Sequence, residues 1–272
     1  YRQDNPFGKR RGNAEENGCT SVEQMSEVLK VYAVWLREFK RLLNSKPRLI
    51  GSIVQPLFFL LALGFGIGSL VPGFNYAQFI LPGIMAMSIL FSSTFAGVSI
   101  IWDREFGFLK EMLVAPMDRL SIVVGRVLGG ATTGVIQATI IMFIGVLLGL
   151  PHVTVLNVLL SIVFMILLAS GFVALGIFIA SLLNDVEGFQ LVVNFVIFPL
   201  FFLSNALFPL ENLPAFIRDI ALLNPMSWGA GALRDILVNN SYAMLPTAFV
   251  ALLFFDVVMI FVAGRAFNKT SI

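Results

Sequence analysis

The chain is poor in the residues that most chemistry uses. A single cysteine, Cys19, among 272 residues rules out an intrachain disulfide and says nothing about redox compartment. A single histidine, His152, rules out the paired-histidine zinc motif of membrane metalloproteases, and no serine stands out as its partner for a serine protease. Charge is scarce too: Asp, Glu, Lys and Arg make up 12% of the residues, against ~25% in soluble domains. The net charge of +2, with no basic stripe interleaved with aromatics, excludes nucleic acid as a partner. No G-x-x-x-x-G-K-[S/T] phosphate loop occurs, and Gly8-Lys9 lacks both the partner glycine and the hydroxyl residue. Gly64, Gly66 and Gly68 imitate a dinucleotide fingerprint inside an apolar tract with no βαβ context, so they carry no cofactor reading. We expect no catalytic residue, no metal site and no cofactor in this chain.

What the sequence has instead is apolar length. Apolar residues make up 58%. No charge interrupts Leu49–Trp102 or Val127–Asn184. Each tract can cross a bilayer twice, because one crossing takes ~20 apolar residues. The spacing predicts six spans, near Leu49–Leu70, Tyr76–Ile101, Leu120–Leu150, Val153–Leu183, Gly188–Pro209 and Leu245–Ala263. Pro72-Gly73-Phe74-Asn75 and Leu150-Pro151-His152 read as tight turns, and Asn184-Asp185-Val186-Glu187 as a short polar one. No internal repeat is evident.

The chain starts at Tyr1 rather than Met, so leading residues are expected to be missing, and no secretory-signal pattern precedes the first tract. Residues 1–20 are polar and read as a flexible tail. Thr20 with Glu23, and Ser21 with Gln24, have capping-box spacing. They open an amphipathic helix over 21–44, with Val28, Tyr32, Trp35, Phe39 and Leu42 on one face and Arg37, Lys40 and Arg41 on the other. Tryptophan and basic residues suit a helix lying in the membrane interface. Of 18 Lys and Arg residues, 16 fall on one side of a six-span chain, and only Arg218 and Arg234 fall on the other. The positive-inside rule then puts both termini in the cytoplasm.

Between the two charge-free tracts stands a charged island, Trp102–Arg119. Read as a helix over 103–115, it groups Phe106, Leu109 and Leu113 on one face and sets Asp103, Arg104, Lys110 and Glu111 largely opposite, before Pro116 stops it. Such a helix suits a knob fitting a groove on a soluble partner, or a connector hugging the lipid surface.

The island, followed by Val124-Gly125-Arg126-Val127-Leu128, resembles the signature of type-2 ABC exporter permeases, notably the drug-resistance and nodulation-factor branch. Leu81-Pro82-Gly83-Ile84-Met85-Ala86, Phe208–Arg218 and Leu223–Trp228 leading to Arg234 fit the same family in the same order. The resemblance covers about residues 25–267. It implies an all-α integral membrane protein with six transmembrane helices. An N-terminal connecting helix (21–44), a cytoplasmic coupling helix (103–115) and short external helices (211–244) would complete the membrane domain, 45–272. It also implies a permease subunit of the plasma (inner) membrane that works as two copies with two separate ATPase subunits. ATP and Mg would be bound by the ATPase partner. Asp103, Arg104, Glu105, Phe106, Leu109, Lys110 and Glu111 would meet that partner, with Trp35, Arg37, Phe39 and Lys40 on the connecting helix.

A few residues inside the spans invite a role. Asp256 stands alone in the last span, and an intramembrane carboxylate faces protein or water because lipid penalises it by a few kcal/mol. It reads equally as a cargo contact or as a hydrogen-bonded structural residue. Gln55, Phe198 and Phe202 are candidates for the cargo pathway, while Gln55-Pro56 and Asn194 with Pro199 suggest kinks. Gly125/Gly129, Gly130/Gly134 and Gly145/Gly149 allow close helix approach within the subunit. Arg218 and Arg234 read as side chains reaching the outer headgroups. Two other classes remain open. An ion-coupled carrier would show mid-membrane carboxylates and repeated halves, whereas a membrane scaffold or lipid-modifying enzyme would show a polar cluster on one face.

Overall fold

The computed structural model describes residues 27–68, 75–107, 119–209 and 214–269. The expected tail, residues 1–20, lies outside them. Every regular element among the described residues is helical. Helix α1 covers 27–44, followed by α2 (Lys46–Gly68), α3 (Tyr76–Ala96), α4 (Val98–Glu105), α5 (Arg119–Leu147), α6 (Val155–Leu182) and α7 (Val186–Phe202). Two short helices, α8 (Ala215–Leu223) and α9 (Pro225–Arg234), precede a single π turn, Asp235–Asn239, and the last helix α10 (Leu245–Lys269).

Among the described residues, four helical stretches are long and apolar enough to cross a membrane: Tyr76–Glu105, Leu120–Leu147, Val155–Leu182 and Leu245–Phe267. The first and fifth expected spans are helical but shorter, Ile50–Gly66 and Val186–Phe202. Helix starts follow the capping chemistry of the sequence. Asn75 caps α3, Thr154 caps α6, Asp185 caps α7 and Asn224 caps α9, each accepting from a backbone N–H in the first turn. Gly149, with φ +95°, makes the turn after α5, and its carbonyl accepts from Gln78 Nε2 at 2.6 Å.

The bundle is organised around α3 and α6, which touch backbone to backbone. The helix breaks between α3 and α4 at Gly97, whose N–H turns to the Thr94 carbonyl at 3.1 Å. A Cβ on Gly97 would lie 2.3 Å from the carbonyl carbon of Gly176 on α6, and one on Gly176 would lie 2.1 Å from the Thr94 oxygen. In lipid there is no hydrophobic force between helices, so such close approach of small residues is what holds them. The glycines of α5 work the same way: Gly125 and Gly129 receive Val34 and Glu38 of α1, and Gly130 receives Val173 of α6. The expected use of this stripe, packing within the subunit, is what the geometry displays.

At the end opposite α1, polar side chains close the bundle. The Asn157 amide donates to the His152 and Ile236 carbonyls at 2.9 and 3.0 Å and accepts from Tyr242 at 2.8 Å. Since nothing can move aside at the α3–α6 crossing, Gly176→Ala should destabilise the purified chain by about 1–3 kcal/mol. Gly51→Ala, whose Cβ meets open space, should leave thermal unfolding in detergent unchanged. Equal melting of the two variants would contradict the crossing.

Candidate functional site

The charged island begins as the end of a span. Asp103, Arg104 and Glu105 complete α4, and the chain turns at Phe106 and Gly107, where φ is +78°. A left-handed glycine ends α4 after Glu105, so Asp103, Arg104 and Glu105 belong to α4, and from residue 108 the helix expected over 103–115 lies outside the described residues. Leu109, Lys110 and Glu111 lie outside the described residues.

Asp103 was expected on the outward polar face and instead points inward, only 3% exposed. Its Oδ2 accepts from Arg126 Nη2 of α5 at 2.5 Å, and its Oδ1 from Arg37 Nη2 of α1 at 2.7 Å. Arg126 is also 3% exposed and donates through Nη1 to Ser99 Oγ at 3.1 Å. The physical reason is helical phase. As the continuation of α4, residue 103 faces α5 rather than solvent, and a carboxylate there needs cations. The buried Asp103–Arg126 pair is the strong half of the node, because its charges are withdrawn from water. The Arg37 half, partly exposed, contributes less.

Around this node α1 is fixed at several points. Trp35 Nε1 donates to Thr132 Oγ1 at 3.0 Å, with Phe39 stacked on Trp35 at 5.4 Å. The Arg41 guanidinium sits 5.1 Å from the Trp102 ring. Lys40 is exposed and faces away. On the other flank, Arg104 donates to the Leu183 carbonyl at 3.1 Å and to Asn184 Oδ1 at 2.9 Å, tying α4 to the turn between α6 and α7. Beside this braced stem, Glu105 is exposed and Phe106 is 72% exposed. Among the described residues of the island, Glu105 and Phe106 are exposed to a partner, whereas Asp103 and Arg104 hold the stem in place.

Of the residues proposed for a pathway, Gln55, Phe198 and Phe202 are linked through Phe91, and Asp256 stands apart. Gln55 on α2 lines a cavity with Phe91 of α3, and Phe91 meets Phe198 of α7 edge-on at 5.9 Å. Phe202 stacks on Phe198 at 6.2 Å. Asp256 lies elsewhere, buried between α10 and α6, where Ser170 Oγ donates to its Oδ2 at 2.8 Å. That bond fits the reading of a hydrogen-bonded structural residue.

Arg234 also departs from expectation. It does not reach outward but is buried, with Nε donating to the Phe79 carbonyl at 3.2 Å and Nη2 to those of Asn205 and Ala206 at 2.9 and 3.3 Å. Its guanidinium lies 3.8 Å over the Phe79 ring. Residues 203–208 are not helical, so their carbonyls need a donor from outside their own segment. Burial pulls this guanidinium down to about 10, with Asp235 opposing the shift, so it stays cationic at neutral pH. Arg218, by contrast, is exposed.

Sequence reasoning missed Arg126 and the Gly97–Gly176 crossing. The signal for Arg126 was present, since it is a charge seven residues into a helix that carries no other charge for the rest of its length.

With this geometry in view, comparison with known proteins identifies the class. The family model described as ABC-2 type transporter matches residues 30–238. The chain belongs to that family, whose members are transmembrane subunits, generally not catalytic, that work with a partner ATPase. It is 30% identical over 248 residues to a Cyanophora paradoxa protein named as transport permease ycf38, covering 88% of this chain and 85% of that protein. It is 29% identical to nodulation protein J of Rhizobium leguminosarum bv. viciae, covering 78% and 83%. A daunorubicin resistance ABC transporter permease protein, DrrB1 of Streptomyces coeruleorubidus, is 29% identical, covering 70% and 68%.

Asp103→Ala would leave Arg126 buried without its counter-ion and should lower stability by about 3–5 kcal/mol. Pairing Asp103→Leu with Arg126→Met should recover much of that loss in the same thermal unfolding measurement. If the single variant melts like wild type, the node does not brace the stem.

Proposed function

We propose that this chain is the permease subunit of an ATP-driven exporter that moves a lipophilic or lipid-linked substrate (a drug, a lipid or a lipid-linked glycan) out of the cytoplasm or inner leaflet. The observation that carries the reading is the braced stem. Glu105 and Phe106 are exposed at the tip of α4, and a buried ion pair joins the root of α4 to α1 and α5. A push on the tip therefore reaches three helices at once.

The remaining parts follow from the family and from the sequence. Six spans, with Ile50–Gly66 and Val186–Phe202 crossing as the first and fifth, return both termini to the cytoplasm, where the Lys and Arg excess belongs. Helix α1 is then the connecting helix at the cytoplasmic interface, and α8 and α9 are the external helices. Two copies would pair, each with one ATPase subunit that supplies ATP and Mg. The exposed apolar faces of α2 and α7, with Phe58, Phe65, Phe195 and Phe202, would then line or flank a pathway between the copies. The name daunorubicin resistance ABC transporter permease protein, borne by one relative, supports a drug among the candidate cargoes.

The deciding experiment is co-purification with candidate ATPase subunits in mild detergent, wild type against Glu105→Ala/Phe106→Ala. We expect a stable complex whose permease-stimulated ATPase falls about tenfold in the double variant, since a buried aromatic anchor at an interface is worth 2 kcal/mol or more. Intact chain that captures no ATPase would redirect the reading to an ion-coupled carrier or a scaffold.

A further inference from the structure

A polar cleft runs through the inside of the chain between α2, α3 and α5. Its larger chamber, about 170 Å³, is lined by Ser52, Gln55, Ser88, Ser92, Thr133 and Gln137. A smaller chamber of about 60 Å³ shares Ser92, Thr133 and Gln137 with it and continues to a rim formed by Glu38 and Arg41 of α1. Hydroxyls and amides gathered in charge-free, membrane-length tracts carry a desolvation cost unless something bonds to them.

Several have no such partner. Ser88 Oγ, on a residue 1% exposed, and Gln137 Oε1, on a residue 3% exposed, accept and donate nothing among the described residues, and neither does Glu38 Oε1. Some of the donors around them are already committed. Gln137 Nε2 donates to Ser52 Oγ at 2.7 Å, Thr133 Oγ1 to the Gly129 carbonyl at 3.2 Å and Ser92 Oγ to the Ile89 carbonyl at 3.4 Å. Ser88 O–H and the Gln55 amide can donate as well as accept, so the cleft offers neutral hydrogen-bonding groups of both kinds beside the acceptors Gln137 Oε1 and Glu38 Oε1. A group bearing several hydroxyls, donors and acceptors together, matches it, whereas an ionised phosphate or carboxylate brings no donor for those two oxygens. Among the described residues no Asp, Glu, Lys or Arg lines the larger chamber, which favours a neutral occupant.

Shape narrows the class further. Phe91 and Phe95 form a flat apolar wall, held edge-on by Phe198 and Phe189 of α7 at 5.9 and 6.2 Å. A chamber of this size takes several waters or one group the size of a sugar ring. Gln55 is exposed, so the chamber opens at the bundle surface beside Val54, Phe58 and Leu61, an apolar strip of α2 suited to acyl chains.

We propose that this cleft binds the neutral, hydroxyl-rich headgroup of a glycosylated lipid, its acyl chains lying along α2. As a statement about cargo it rests on the export reading; as a binding site it stands on the cleft alone.

The test uses the full chain with its ATPase partner in lipid nanodiscs, followed by native mass spectrometry. Three probes with identical acyl chains are offered: monoglucosyl diacylglycerol, diacylglycerol and phosphatidic acid. Wild type should retain the glycolipid at least about fivefold over the other two. Ser88→Ala should cut that retention about three-fold and Gln137→Leu about tenfold, the scale of one or two lost hydrogen bonds to a buried group. Ser88→Ala removes one oxygen from an existing cavity, so it keeps the test valid if the Gln137 variant misfolds. Equal retention of diacylglycerol would reduce the cleft to a greasy groove and overturn the proposal. So would a preference for phosphatidic acid, or folded variants that retain the glycolipid like wild type. ATPase stimulation in the same samples separates the two readings. Normal stimulation without glycolipid preference refutes the cleft and leaves export standing. Glycolipid preference in a chain that pairs with no ATPase supports the cleft and removes its role as a cargo site.

Discussion

A carboxylate withdrawn from water at the root of α4 constrains much of this molecule. Asp103 needs cations, and the chain supplies them from two other helices, Arg37 of α1 and Arg126 of α5. Removing Asp103 or Arg126 leaves the other's charge buried without its counter-ion. The pair therefore acts less as a source of net stability than as a positional lock. Helix α1 has its own contacts to α5, through Trp35 and the Gly125–Gly129 groove, and to α4, through Arg41 on Trp102, while the ion node joins all three helices.

The same logic recurs at the far end. Arg234 serves carbonyls on α3 and on the irregular segment 203–208, and Gly83 of α3 lies so near Ala206 that a Cβ would sit 2.2 Å from its carbonyl oxygen. Between these two buried cations, α3 and α6 meet at glycines with no side chain to compress. The pair is consequently stiff along its length, and displacement at one end cannot be absorbed by side-chain rearrangement at the crossing. Stiffness of this kind suits a subunit that receives force at one membrane face.

How much of this was legible depended on which signal a residue carried. The apolar tracts and their turns were readable, because charge-free length and capping residues such as Asn75, Thr154 and Asp185 are local properties. The glycine stripe of α5 was readable because its spacing is periodic. Asp103 was misplaced because its orientation depends on where a helix ends. Gly107 ends it at Glu105, and a helical wheel begun at 103 takes no account of the helix running in from residue 98. Arg234 was misplaced because its partners are carbonyls more than 25 residues away in sequence, and a backbone acceptor leaves no mark in a sequence. The crossing of Gly97 with Gly176 was invisible for the same reason: each glycine is unremarkable until the other is beside it.

The cleft and the ion node are not independent. Ser99, which accepts from Arg126, also lines the smaller chamber, and so does Arg41, whose guanidinium faces Trp102. A headgroup entering from the α1 rim thus meets residues one step removed from Asp103. Transferring each hydroxyl from water to hydrocarbon without a partner costs roughly 2–7 kcal/mol, so a many-hydroxyl headgroup cannot enter the bundle unless acceptors are already in place. Filling the cleft satisfies both the headgroup and the orphaned oxygens of Ser88 and Gln137, and it does so against the helices that the node holds together. Binding energy spent at that position bears directly on α1 and α5. In the export reading, this gives cargo a physical means of biasing the stem that the ATPase would push.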